Sequence, residues 1–174
     1  MFQRALLLAL LLTGGGILAG SGRALAAETQ LQIQANPARA EDVVGYWSLV
    51  PLPDDLTAKN KTNPWPHPFQ YFAFYANGDI IHHAAAQDPQ DNPATLDRMH
   101  DMLPATMHFR FEDDMFIVTR DGQPRATERW GVSVIATNFT LAGVLFKAGD
   151  LLMSLDDGQG NVLYRRHLRR LGSR

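Results

Sequence analysis

Residues 43–50 read VVGYWSLV, and this stretch decides how the rest of the chain is read. Alternation places Val43, Gly45, Trp47 and Leu49 on one face and Val44, Tyr46, Ser48 and Val50 on the other, the period of a half-buried strand. A Gly, a Tyr and a Trp stand together in one apolar run, with Trp47 on the same face as Val43, Gly45 and Leu49. The stretch is therefore the first strand of a β-structure, with Trp47 in its core.

Working outward, "PLPDDLTAKNKTNPWPHP" (51–68) carries five prolines in eighteen residues and reads as a long loop. "FQYFAFYANGDIIHHAA" (69–85) is two β-rich runs around Asn77-Gly78, a strong hairpin signal because both residues tolerate positive φ. Residues 94–103 read as one short helix with Leu96, Met99 and Leu103 on one face, ended by Pro104. "TMHFRF" turns Met107, Phe109 and Phe111 inward, "EDD" is a turn, and "MFIVTR" and "RATERWGVSVIAT" continue the series. "NFTLAGVLFKAGD" fits either a strand or a glycine-broken connection. "LLMSL" and "VLYRRHLRRL" form a last hairpin. Eight or nine short antiparallel strands must close into a barrel or pack as two sheets, and the expected fold is all-β, a small up-and-down barrel with one short helix.

Upstream, "MFQR", "ALLLALLLTGGGILAG" and "RALAAETQ" form the three parts of a secretory signal peptide. Ala24 and Ala26 place cleavage after residue 26, and five glycines in "TGGGILAGSG" disfavour a spanning helix. The expected organisation is a signal peptide at 1–26, an extended leader at 27–42 and one barrel domain at 43–174. The mature chain would hold 14 basic and 18 acidic residues, a balance that argues against a nucleic-acid surface. No further apolar run is long enough for stable membrane insertion. Cysteine is absent, so no disulfide, thiolate ligand or thiol nucleophile is available. A periplasmic or secreted location follows.

Gly45-Tyr46-Trp47 on the first strand of such a domain resembles the lipocalins and the wider lipocalin-like (calycin) group, whose first strand carries a Gly-x-Trp motif. The resemblance implies that Trp47 closes one barrel end and that an arginine of the last strand stacks on it. The matching positions are Gly45, Trp47 and one of Arg165, Arg166, Arg169 and Arg170, and we assign the closing role to Arg166. It further implies a small, largely apolar ligand inside the barrel. Phe72, Phe74, Phe109, Phe111 and Trp130 are the candidate lining, with Phe116, Ile117, Val132 and Met153 beside them and Trp65 of the proline-rich loop near the mouth. The same residues would equally fill a closed core.

Other chemistry has less support. Six histidines and the runs "RMHDM" and "ATMHF" raise the alternative of copper handling, but His82 and His83 are strand neighbours facing opposite ways, and His100 points away from Met99 and Met102. No metal site and no cofactor are expected. No nucleophile elbow, P-loop or dinucleotide fingerprint occurs, so an enzyme is the less favoured class. Asp97 and His100 could meet across one helical turn, and the four arginines of "YRRHLRR" should divide between two faces. Trp65 and His67, held between prolines, would also suit a protein partner, which leaves an interaction module such as an accessory subunit or inhibitor as the second class.

Overall fold

The computed structural model describes residues 35–57, 67–123, 127–159 and 161–172. The expected signal peptide and the position of Trp65 lie outside them. In chain order the elements are β1 (Ala35–Pro37), α1 (Ala40–Val43), β2 (Gly45–Val50), α2 (Asp54–Thr57), β3 (Phe69–Phe74), β4 (Asp79–Ala85), α3 (Pro93–Met102), β5 (Met107–Glu112), β6 (Met115–Arg120), β7 (Glu128–Ile135), β8 (Phe139–Leu141), β9 (Val144–Phe146), β10 (Leu151–Asp156) and β11 (Val162–Arg170). Among the described residues no helix is long and apolar enough to cross a membrane.

The strands pair antiparallel in the order β7-β10-β11-β2-β3-β4-β5-β6, and β6 pairs back onto β7. Eight strands thus close a barrel, the expected architecture, rather than pack as two sheets. Closure leaves no long free edge, which is how a sheet of this length avoids pairing with other chains. β7 is long enough to do two jobs. Its start, Glu128–Trp130, pairs with β6, and its end, Ser133–Ile135, pairs with β1 outside the barrel. The last residues of the expected extended leader therefore form a strand and a helical turn, and Ala38 and Val43 join the core. Val43 belongs to α1, so the first barrel strand begins at Gly45.

Turn chemistry explains the connections. Tyr75 to Gly78 link β3 to β4, with the Gly78 amide donating to the Tyr75 carbonyl at 2.9 Å. Gly78 alone of the Asn77-Gly78 pair takes positive φ, at 92°. A Cβ there would stand 2.9 Å from the Phe109 carbonyl oxygen, so the position needs glycine for space as well as conformation. Asp113 and Asp114 both take positive φ in the turn after β5, and Asp tolerates that conformation better than most residues. The ambiguous stretch 139–146 is a small hairpin of its own, β8 against β9. It packs Phe146 against Ile135 and Leu152 on the outside of the barrel.

α3 begins as its sequence dictates: the Asn92 side chain accepts from the Thr95 amide at 3.1 Å, and Pro93 opens the first turn. The helix covers the outer face of β3 and β4, where Leu96 is buried with Tyr71, Ala73 and Ile81. Asp97 does not meet His100. Its carboxylate accepts from Tyr46 and Tyr75 on the barrel, at 2.7 and 2.9 Å, and His100 reaches Asp79 at 2.9 Å.

Candidate functional site

One barrel end is shut by Trp47. Its ring is fully buried and its Nε1 donates to the Val43 carbonyl at 2.8 Å. The Arg170 guanidinium lies 4.4 Å from the ring centre and donates to the carbonyls of Asp42, at 3.1 Å, and Val44, at 3.3 Å. The closing arginine is therefore Arg170 and not Arg166. The reason is register: β11 pairs with β2 so that Arg170 faces Trp47 and Leu168 faces Leu49, which carries Arg166 further up the barrel. Gly45 has φ +137°, and a Cβ there would lie 2.5 Å from Arg170 Nη1. Glycine is what lets the guanidinium reach the ring.

Above this floor the barrel is filled by aromatic rings. Phe116 packs on Phe74, Phe109 and Phe111, at centroid distances of 5.4, 4.9 and 5.6 Å. Val132, Trp130, Phe72 and Met153 complete the same core. Ile117 is a correction: it alternates with Phe116 and Val118 and so faces away from the interior. The cavity left between Phe72, Phe74, Trp130, Met153 and Arg166 has about 20 Å³, room for a single water.

The other half of the interior is polar. Gln70, fully buried, donates from Nε2 to the His67 carbonyl at 2.9 Å and stands 3.3 Å from His82 Nε2 through Oε1. His82 stacks on Phe72 at 4.5 Å. Burial, with the Arg166 and Arg120 charges behind it, pushes the His82 pKa down to about 3, so the ring is neutral at ordinary pH. Arg166 lies between Phe72 and Trp130, 5.1 Å from each centroid, with the Tyr164 ring centroid at 6.0 Å. Its burial lowers its pKa to about 10, which still leaves a full positive charge. The nearby Glu128 carboxylate accepts from Arg120 at 3.2 Å and from Trp130 Nε1 at 2.9 Å.

Arg166 also reaches the rim of this end. β2 leaves β11 beyond the Val50–His167 pair, and the chain turns through Pro51 and Leu52 into α2. Between these residues, Pro68 at the start of β3 and Tyr164–His167 of β11 lies an open pocket of about 190 Å³. Arg166 is a wall of both this pocket and the interior cavity. Arg165, His167 and Arg169 take the outer parity, so the arginines do divide between two faces. Arg169 donates to Asp150 at 2.8 Å, and His167 Nε2 is 2.7 Å from the same carboxylate.

The remaining titratable groups are dispersed. Asp79 takes His100 on one oxygen and His108 on the other, at 2.9 and 3.0 Å, and is held below the usual carboxylate range chiefly by His100. His83 bonds Asp91, on the opposite face from His82. Met102 is exposed and Met107 accepts from Arg120. Among the described residues no three His, Asp or Glu side chains are grouped to hold a metal ion.

Compared with known proteins, the chain matches no family model, no curated protein and no solved structure. The barrel itself is compatible with a calycin-like fold. Phe72 and Trp130 stand at the cation, Phe74, Phe109 and Phe111 pack deeper, and Gly45 and Trp47 are at the floor. Gln70 was not singled out by sequence, and Arg166 and His82 were named there for other roles, barrel closure and metal binding. The one available signal was parity, which puts a charged residue between Tyr164 and Leu168 on the apolar side of β11.

Proposed function

We propose that this is an exported, soluble lipocalin-like protein that binds a small, largely apolar molecule at the barrel rim, with the molecule's acidic end on Arg166. The observation that carries this is the position of that guanidinium, buried among rings yet forming a wall of the open rim pocket. A cation desolvated in this way attracts an anion more strongly than one in water does. His82 beside it is held neutral and adds no competing acid group. Leu49, Pro51, Leu52 and Pro68 give the pocket its apolar share, the mixture usual for small-molecule sites. Phe72 and Trp130 are the first interior rings such a ligand meets, and Phe74, Phe109 and Phe111 form the packed wall beneath. Trp65, two residues before the pocket-lining His67, lies outside the described residues.

A fluorescent fatty-acid-like probe should bind with saturation. Arg166→Leu should weaken the acid about ten-fold or more, the loss typical of a buried ionic hydrogen bond, and leave its neutral methyl ester unchanged. If no acid in an apolar panel binds with saturation, the proposal fails. Export is tested separately: the mature chain should begin near Ala27 and be found outside the cytoplasm.

One observation favours a second reading. The interior void is about 20 Å³, far below a ligand-sized cavity. A filled barrel suits a non-catalytic interaction module, an accessory subunit or inhibitor. Native mass spectrometry of protein from its own host separates the two, by a lipid-sized mass or a stoichiometric protein partner.

A further inference from the structure

Closure of the barrel is incomplete at the seam between β4 and β5. β3 and β4 share six register pairs, as do β5 and β6, but β4 and β5 share two, Asp79 with His108 and Ile80 with Met107. Towards the β3–β4 turn the ladder continues, with the Phe109 amide donating to the Gly78 carbonyl at 2.7 Å. Beyond Ile80 it stops. The Thr106 carbonyl accepts from the Asp121 amide at 2.9 Å, so the chain ahead of β5 stays with the end of β6 and parts from β4. Residues 81–85 therefore have β3 on one side and, among the described residues, no strand on the other.

The ladder also fixes which groups face the gap. Gly78 turns its carbonyl to β5, and in an antiparallel pair every second residue turns its backbone groups the same way. Ile80, His82 and Ala84 follow that parity, and Ile80 is already paired with Met107. The N–H and C=O of His82 and Ala84 form a short open edge, which no backbone hydrogen bond among the described residues reaches. Such edges are usually blunted by lysine, proline or a bulge. Residues 81–86 read IHHAAA, with neither residue, and the register of β4 on β3 is unbroken.

The gap carries a charge as well. The His82 ring stacks on Phe72 inside the barrel, and the charges of Arg166 and Arg120 bear on it. Arg120 belongs to the far side of the gap: it is the register partner of Met107 and donates to the Met107 sulfur at 3.3 Å. Against these two guanidiniums stands the Glu128 carboxylate, 3.2 Å from Arg120. A strand added to β4 would set the residue opposite His82 on the same inward face, its Cβ about 4.5–5.5 Å from that of His82. The surplus positive charge favours a carboxylate there and repels a lysine or arginine.

We propose that the open edge of β4 binds an extended acidic segment of another protein as an antiparallel strand, with one carboxylate facing inward opposite His82. Main-chain hydrogen bonds to His82 and Ala84 hold the segment, and the inward carboxylate selects it. The site does not depend on the rim pocket, so either can fail alone. The probe is the blocked pentapeptide Ala-Val-Glu-Val-Ala with a fluorophore at its amino end, followed by anisotropy. It should bind with saturation, and glutamine in place of its glutamate should weaken binding about ten-fold, the loss typical of an ionic contact of this kind. N-methylation of the glutamate amide removes a donor to β4 and should also cost about ten-fold. N-methylation of the valine after it, whose amide points away from β4, should change nothing. The backbone amides of His82 and Ala84 should exchange quickly with deuterated solvent in the free protein and slowly with the peptide bound. No saturable binding, equal loss from the two methylations, or equal binding of the glutamine peptide overturns the proposal. Amides already protected in the free protein would show the edge covered by the chain itself. Protection that grows with protein concentration alone would assign the edge to a second copy, and both results overturn the peptide site.

Discussion

The Arg170 guanidinium lies 4.4 Å above the centre of the Trp47 ring, and the two residues are direct partners in the register of β11 against β2. The stack is possible because Gly45, two residues before Trp47, has no side chain in the way.

The first prediction concerns that gap. Gly45→Ala meets both a left-handed φ of +137° and a contact of 2.5 Å with Arg170 Nη1. It should cost about 2–4 kcal/mol, the backbone strain and the displaced cation together. In the Gly45→Ala/Arg170→Ala protein the two losses should sum to less than their separate values, because the clash is gone while the strain stays. Urea titrations of the four proteins of the cycle measure this, and strict additivity would count against the clash.

Trp47→Ala should cost about 3–5 kcal/mol, as large aromatic truncations in cores do. The ring is fully buried and its Nε1–H is satisfied by Val43, so the variant loses packing and leaves a carbonyl without its donor. A loss under about 1 kcal/mol, the usual range of surface changes, would place Trp47 outside the core.

Stability should fall as the pH is lowered from about 6.5. The pKa of His82 is near 3 in the folded protein and near its ordinary value of 6.5 in the unfolded chain. Between these values the unfolded state takes up a proton that the folded state refuses, so stability is full above the upper pKa and declines towards the lower one. The size is a few kcal/mol at most. His167, whose pKa is also lowered by burial, acts in the same direction. His82→Phe keeps the ring on Phe72 and removes the titration. Denaturant midpoints at pH 7 and pH 5 should differ less in this variant than in the parent, and an equal difference would assign the acid loss elsewhere.

Treatment with a chelator should leave the melting temperature of protein purified without added metal unchanged. Among the described residues no three His, Asp or Glu side chains are grouped to hold an ion: His100 and His108 share Asp79 through different oxygens, His167 is on Asp150, and His82 and His83 face opposite ways. A melting temperature that drops with chelator would show that a bound ion contributes to folding.

Much of the barrel was legible because its signals are local. Alternation at Met107, Phe109 and Phe111 set the inward face of β5, Asn77-Gly78 marked the β3–β4 turn, and prolines bounded α3. The stretch 139–146 was ambiguous because its strands are three residues long, too short for a periodic pattern. The contacts around the rim were hidden for another reason. His82 meets Gln70, twelve residues away, and His167 meets Asp150, seventeen away, through strand pairings that no local pattern encodes.

The sequence by itself determined most of the barrel strands, their inward faces and the main turns, since each follows from period, glycine and proline placement over a few residues, while the resemblance to lipocalins implied an arginine partner for Trp47. Which arginine it is was left to the tertiary structure. Arg166 and Arg170 share one face of β11, about 13 Å apart at ~3.3 Å per residue, and parity treats them alike. The hydrogen-bond register with β2 separates them, setting Arg170 on the floor and Arg166 among the rings. The size of the interior void is likewise a property of eight strands at once. Whether rings from opposite walls interdigitate depends on their relative heights in the closed barrel, and here they leave about 20 Å³.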